Sequence, residues 1–230
     1  MKKGSRWFIT MFLVVELSSF VPVFSQADSV SKFNLNADFY SNYIWRGSRY
    51  GKGPAIQPTI KYSGSFFTLG AWGSFDYSGY QETDLYFLFT LPAGFSVGMT
   101  DYYYPGLSYF DFSDSTGSHA LEVNLGFLKG NFNLSANFVL NEAGGAASLG
   151  WDSYFQATYS FKTFNIFLGA GDGWHTYDPA TGKDKFAICN TGLGTSKLIK
   201  VTDSFCVPVT GQLIFNPDKE QLFIVVGFTF

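Results

Sequence analysis

The segment Gln221–Phe230, QLFIVVGFTF, places an apolar side chain at every second position: Leu222, Ile224, Val226, Phe228 and Phe230. Alternation at a period of two marks a strand whose two faces meet different surroundings. The opposite row, Gln221, Phe223, Val225, Gly227 and Thr229, is mixed in character. A strand that ends a chain with a bare aromatic row and an open edge is an aggregation hazard. A closed barrel removes the hazard, because the last strand pairs with the first and the outer face can meet lipid. If so, the rest of the chain must alternate in the same way.

Aromatic residues make up 20% of the 230 residues and charged residues 14%, against a usual charged share of about 25%. With 25 glycines, this is a β-rich, turn-rich composition for one substantial domain. A net charge of −3, with no Lys/Arg cluster beyond the N-terminus, gives no nucleic-acid-binding surface. The first 25 residues stand apart: Lys2, Lys3 and Arg6, then apolar Trp7–Val15, then Val23-Phe24-Ser25. That is the layout of a secretory signal peptide, 1–25. The mature chain is expected from near Gln26, with residues 26–230 forming a single barrel domain. A membrane anchor needs about 20 apolar residues, and Thr10, Glu16, Ser18 and Ser19 interrupt this run. No later stretch of the sequence makes a transmembrane helix. The mean hydropathy of +0.06 does not argue against a membrane barrel, because only half of each strand faces lipid.

Period-two alternation predicts twelve strands. The first, Lys32–Arg46, sets Phe33, Leu35, Ala37, Phe39, Tyr43 and Trp45 against Asn34, Asn36, Asp38, Tyr40, Asn42 and Arg46. The next four are expected near 56–62, 66–77, 82–91 and 95–104. Pro58 is awkward in the second, since proline cannot donate to a ladder. Residues 121–127, 132–140, 154–161, 164–170, 185–193, 203–215 and 221–230 complete the set, and 185–193 is poorly patterned. Connections after even-numbered strands are tight, as at Ser63-Gly64 and Lys129-Gly130, while those after odd-numbered strands are longer. The last two, near 195–200 and 216–219, blur the rule. This sorting fits an all-β, antiparallel up-and-down transmembrane barrel with periplasmic turns and extracellular loops, whereas a sandwich has no reason for it. Tyr43, Trp45, Tyr77, Tyr103, Trp151 and Trp174 are expected at the long-loop rim. Tyr62, Phe95, Phe161 and Phe230 are expected at the other.

Candidate chemistry is sparse. His119 and His175 are the two histidines. Neither has Ser two residues on nor Asp two before, so no nucleophile–base set is legible, and no enzymatic activity or cofactor is expected. Asp111, Asp114, Asp172 and Asp178 lack the regular spacing of a Ca²⁺ loop, and Cys189 and Cys206 without a His partner make a poor metal site. The two cysteines flank a turn placed near Lys197-Leu198. A cross-strand disulfide is geometrically open there, and a one-step change of register would close it off.

Under this parity the lumen holds Asp38, Asp76, Glu82, Asp84 and Glu122, with Arg46 and Lys61 as its basic residues. Five acids against two bases would favour cations in a conducting path. Alternatively these side chains pair across the lumen and fill it, Arg46 with Asp84 for instance. A barrel of about eight strands is filled by side chains and one of about sixteen holds a channel, so twelve lies between. The two readings are a narrow passive pore for ions or small solutes and a non-conducting barrel that presents its loops as an adhesin or structural element.

The motif Ser41-Asn42-Tyr43-Ile44-Trp45-Arg46-Gly47, followed by Gly53-Pro54-Ala55-Ile56-Gln57-Pro58, resembles the TorF-type family of porin-like proteins, also called Gcw_chp. Gly70-Ala71-Trp72-Gly73-Ser74, Thr83-Asp84-Leu85-Tyr86 and Tyr102-Tyr103-Tyr104-Pro105-Gly106 follow in the order and spacing of that family. The likeness covers about residues 33–106; the later half agrees in strand pattern alone and departs near Cys189. It implies a Gram-negative outer-membrane barrel with a porin role, and carries over no substrate or catalytic residue. The ending also resembles the terminal strand of bacterial outer-membrane barrels. That likeness implies that Phe228 and Phe230 serve as a signal to the barrel-assembly machinery, the expected partner besides outer-membrane lipid.

Overall fold

The structure, a computed structural model, describes residues 32–230. The segment read as a signal peptide and the start near Gln26 lie outside the described residues. The strands are β1 (Phe33–Tyr40), β2 (Tyr43–Trp45), β3 (Ser48–Tyr50), β4 (Ala55–Ser63), β5 (Phe67–Asp76), β6 (Gln81–Thr90), β7 (Phe95–Tyr103) and β8 (His119–Lys129). They continue as β9 (Phe132–Val139), β10 (Glu142–Ala143), β11 (Ser148–Leu149), β12 (Ser153–Ser160), β13 (Asn165–Gly171), β14 (Ala187–Lys200), β15 (Cys206–Asn216) and β16 (Gln221–Thr229).

Twelve of these close an antiparallel barrel in the order β1-β16-β15-β14-β13-β12-β9-β8-β7-β6-β5-β4, the expected fold and strand number. The seam joins the two ends of the described chain: Asp38 lies opposite Thr229, Phe39 opposite Phe228 and Tyr40 opposite Gly227. The backbones of Ala37 and Phe230 exchange both hydrogen bonds, and Phe39 stacks on Phe228 at 5.0 Å. A contact of that kind contributes about 0.5–1.5 kcal/mol beyond the area it buries. The outer row is apolar and exposed, with Leu35 at 77% and Ile224 at 70%, while inward positions such as Tyr154 and Asp84 are buried. Two inward glycines exist to seat rings: a Cβ on Gly70 would meet Tyr86, and one on Gly169 would meet Tyr154, each within 2.3 Å.

The strands depart from the sequence pattern in three places. The predicted first strand breaks at Ser41, whose hydroxyl accepts from Val226 N–H, and the chain then turns into the barrel. The poorly patterned strand near residue 185 is β14, in which Cys189 is an extra residue: Gly169 opposes Asn190 and Ala170 opposes Ile188. Such a bulge shifts the alternation by one place, so Ile188 and Leu193 both face outward although one is even and the other odd. Third, β14 runs straight through the turn expected at 195–200, and the chain reverses at 201–205 instead. Pro58 is accommodated because the β4–β5 ladder skips Gln57 and Pro58 while keeping its register on either side.

Candidate functional site: a hairpin inside the lumen

Tyr40 pairs directly with Ala55, so a two-residue turn would connect β1 to β4. Residues 41–54 intervene instead, and they fold inward. Tyr43 faces Tyr50, Ile44 faces Arg49 and Trp45 faces Ser48, which leaves Arg46-Gly47 as the two-residue turn. Its φ values, +48° and +82°, are both left-handed, as a type I′ hairpin turn requires. Glycine adopts that backbone freely; arginine does so at a cost of about 1–2 kcal/mol, which its side-chain contacts offset.

Those contacts are strong. Arg46 Nη1 and Nη2 donate to Glu122 Oε2 and Oε1 at 2.6 and 2.9 Å, a bidentate pair of the most directional kind. The guanidinium also lies 4.5 Å from the ring centres of Trp45 and Tyr154, a cation–π arrangement. Glu122 accepts further from Tyr102 Oη and Asn124 Nδ2, so its charge is fully solvated by protein donors. Across the lumen, Asn216 Nδ2 donates to Gly47 O and Lys219 Nζ to Ser48 Oγ. The hairpin thus spans the barrel from β8 to the β15–β16 turn.

Around it the loop-end half of the lumen is packed. Tyr43, Trp45, Trp72, Tyr86 and Tyr102 form a buried cluster with Ala143 and Ala146 of the 140–152 connection, flanked by Tyr50, Tyr80 and Trp174. Trp174 Nε1 donates to Ala147 O, tying the 172–186 connection to this filling. The expectation of Tyr43, Trp45 and Trp174 in the aromatic girdle of the long-loop rim is corrected by the structure: the first two are buried inside and the third packs against them. For Tyr43 and Trp45 the cause is the turn at Ser41, after which residues 41–54 leave the wall and fold inward. Tyr77 and Trp151 are the strongly exposed members of that set.

The predicted lumen residues fall in different places. Glu82, Asp84 and Glu122 are all buried beside the hairpin. Glu82 accepts from Tyr80 Oη at 2.6 Å. Asp84, opposite Trp72 and Tyr102 in the ladders, has no hydrogen-bond partner on either oxygen. Arg46 is paired with Glu122, not with Asp84. Asp38 is held near the seam by the hydroxyl of Thr229. Lys61 lies opposite Asn34 and Gly70 toward the turn end, partly exposed. Asp76 ends β5 at the mouth, on the same row as the buried Trp72 and Ser74 and opposite Ala55, and its carboxylate accepts from the Lys52, Ser78 and Tyr80 backbone N–H groups.

The disulfide is also corrected: both cysteines are free, Cys189 buried and Cys206 exposed. Cys206 pairs with Lys200, which puts Cys189 about 35 Å away along the ladder at ~3.3 Å per residue. Its place is the bulge, where its carbonyl meets Gly47. His119 lies under the 104–118 connection, with Nδ1 2.9 Å from Asp101 and Nε2 against Tyr109 O. His175 is buried between Trp45 and Tyr154. The loop acids Asp111, Asp172 and Asp178 accept from donors of nearby turns and strand ends; hydrogen bonds to Ser113 and Thr116 hold Asp111 below the usual carboxylate range. Among the described residues no three His, Cys, Asp or Glu gather as metal ligands.

The hairpin escaped sequence analysis, although its signal was present. Two aromatic residues, Arg-Gly and then Ser-Arg-Tyr read equally well as a β-hairpin around a two-residue turn.

Two solved structures are similar to part of this chain. A mutant of the Rh. blastica porin matches with a TM-score of 0.39 and 14% identity, over 76% of this chain and 55% of that one. Acinetobacter baumannii OccAB3 matches with a TM-score of 0.39 and 11% identity, over 89% of this chain and 66% of that one. The chain therefore spans between about half and two thirds of the length of these structures. No curated protein matches the sequence. Residues 25–190 match the family described as "Bacterial protein of unknown function (Gcw_chp)", and the chain belongs to that family.

Proposed function

We propose that the protein is a small porin-like barrel of the Gram-negative outer membrane that passes ions or small solutes through a narrow lumen. The exposed outer row, including Leu35, Ile60, Leu69, Leu168, Leu222 and Ile224, supports lipid as its surroundings, since no aqueous surface of that extent is stable. Export through a cleaved signal peptide and handling by the barrel-assembly machinery belong to the same reading. It assigns no catalysis and no cofactor.

The observation that carries the channel reading is the contrast between the two halves of the lumen. Toward the tight turns, the inward side chains Asn36, Thr59, Lys61 and Gln212 remain partly exposed, so water reaches them from that end. A barrel built only as a scaffold gains nothing from a wet, polar interior on one side. The test is conductance of the refolded protein in planar bilayers, where single-channel steps are expected and their absence under every voltage would sink the reading. N-terminal sequencing of the exported protein should begin near Gln26.

A second reading, a non-conducting barrel that presents its loops, draws on the packed aromatic filling of the loop-end half. The same bilayer measurement separates the two.

A further inference from the structure

We infer that the hairpin β2–β3 is a displaceable gate, latched shut by Arg46 on Glu122, and that its withdrawal leaves a cation-selective ring of Glu82, Asp84 and Glu122. The inference rests on the channel reading above and adds how that channel would be controlled.

Three observations carry it. The hairpin is dispensable for the wall, because Tyr40 and Ala55 on either side of it already pair. It shares no ladder with the barrel strands. Its polar attachments are side-chain contacts at its tip, Arg46 on Glu122, Asn216 on the Gly47 carbonyl and Lys219 on Ser48, and its Tyr43 and Trp45 are held by ring packing against Trp72, Tyr102 and Trp174. Such contacts can break without unravelling a strand. The connection 41–54 is long enough to swing its hairpin toward the mouth while both ends stay paired.

The charge arrangement sets what an open passage would favour. Three buried carboxylates face one guanidinium in the closed state. Glu122 is neutralised by Arg46, and Glu82 is held by the Tyr80 hydroxyl. Asp84 is buried with neither oxygen partnered, an arrangement that costs free energy for a charged group unless a counter-charge arrives. Among the described residues no donor serves that carboxyl group in the closed packing. A passing cation would. When the hairpin leaves it takes Arg46 with it, and the three carboxylates remain on β6 and β8, fixed to the wall. Rings of acidic side chains select cations.

The experiment compares four refolded proteins in planar bilayers across a KCl gradient: wild type, Arg46→Ala, Glu122→Gln, and a variant with residues 42–53 replaced by Gly-Gly. Heat-modifiable mobility on gels verifies that each has folded. Wild type should open rarely, each latch variant should raise open probability at least tenfold, and the shortened variant should stay open with a reversal potential favouring K⁺. Asp84→Asn in the shortened background should lower the K⁺ to Cl⁻ permeability ratio at least twofold. If folded barrels of every kind are silent, the channel reading itself fails. If wild type and the shortened variant conduct alike, the channel stands and the gate is overturned. If the shortened variant opens but the latch variants behave as wild type, the Arg46–Glu122 latch is overturned. Anion preference in the shortened variant, or no change with Asp84→Asn, overturns the acidic ring.

Discussion

Gly47 sits so close to the Cys189 carbonyl that a Cβ at position 47 would lie 1.9 Å from its oxygen. The contact joins two irregularities: the left-handed tip of the inner hairpin, with φ +82° at Gly47, and the bulge of β14 at Cys189. The bulge turns a carbonyl out of the ladder, and the glycine is the residue that can approach it. Gly47→Ala must therefore either distort the turn or lift the tip from the wall. The backbone strain alone is about 1–2 kcal/mol, and the melting temperature in detergent should fall by about 5 °C. Proteolysis within 41–54 should quicken as well. A variant as stable and as resistant as wild type would show that the tip is loosely seated.

Arg46 poses the opposite case, a residue poorly suited to its backbone but held by its side chain. Asn prefers the left-handed turn position, so Arg46→Asn improves the turn and deletes the ion pair. The side chains of Arg46 and Glu122 are 4% and 1% exposed, and orphaning one partner of such a pair costs about 3–5 kcal/mol. Urea unfolding in micelles should show a net loss despite the better turn. Combining it with Glu122→Gln should recover much of that loss, because the uncompensated charge goes with it. Additive losses would argue that the two side chains act independently.

The cysteines give a chemical test of the register. Cys206 is exposed and Cys189 buried, and the β14–β15 pairing keeps them far apart. In the folded barrel a maleimide should label one thiol quickly and the second only after denaturation. Peptide mapping should assign the fast site to Cys206. A Cys189–Cys206 bridge found under non-reducing conditions would contradict the pairing of Lys200 with Cys206.

How much of this was legible in the sequence follows from what alternation can and cannot encode. Period two marks the barrel wall well, since each strand presents one row outward, as Phe87 and Phe89 do on β6. The seam of β1 with β16 follows once the wall must close. Alternation cannot register an inserted residue, and at Cys189 one extra residue made a regular strand look irregular. Nor does it distinguish an aromatic row that faces outward from one that folds back inside. Tyr43 and Trp45 continue the pattern of Phe33 to Phe39, and only the Arg-Gly pair after them marks the hairpin. The acidic residues beside the hairpin were legible as inward-facing; the pairing of Arg46 with Glu122 across 76 positions was not, because nothing local in a sequence encodes it.

Phe230 lies at the seam, its ring parallel to Phe205 at 6.2 Å and edge-on to Phe39 and Phe228. It remains 60% exposed, so its burial contributes little to the finished barrel. Phe230→Ala should leave the melting temperature of purified, refolded protein within about 2 °C of wild type, consistent with a loss under 1 kcal/mol. On the proposal that the assembly machinery reads this residue, the amount of heat-modifiable barrel recovered from membranes of cells should fall several-fold. Equal recovery from cells would remove Phe230 from the assembly signal and leave Phe228 as the residue to test.

His175 makes the packed end of the lumen sensitive to acid. It lies between Trp45 and Tyr154, at 5.1 and 4.9 Å between ring centres, and its Nδ1 has no hydrogen-bond partner. Burial, reinforced by the positive charges of Arg46 and Lys219, holds its pKa well below the ordinary histidine value. As pH falls through about 6.5, the unfolded imidazole binds a proton that the folded one refuses. Stability is therefore present above that pH and lost below it. Nearby Asp152 works the other way: burial raises its carboxyl to about 6. The folded state keeps that proton over a range in which the unfolded chain has released it, and stability falls as pH rises from about 4 to about 6. The two groups oppose one another in mild acid, so a melt of wild type alone would understate each. His175→Gln removes the first term and leaves the second. Between pH 8 and pH 5 the melting temperature of this variant should fall less than that of wild type, and Asp152→Asn should fall more. Parallel pH profiles for all three proteins would show that neither side chain titrates within the packed end.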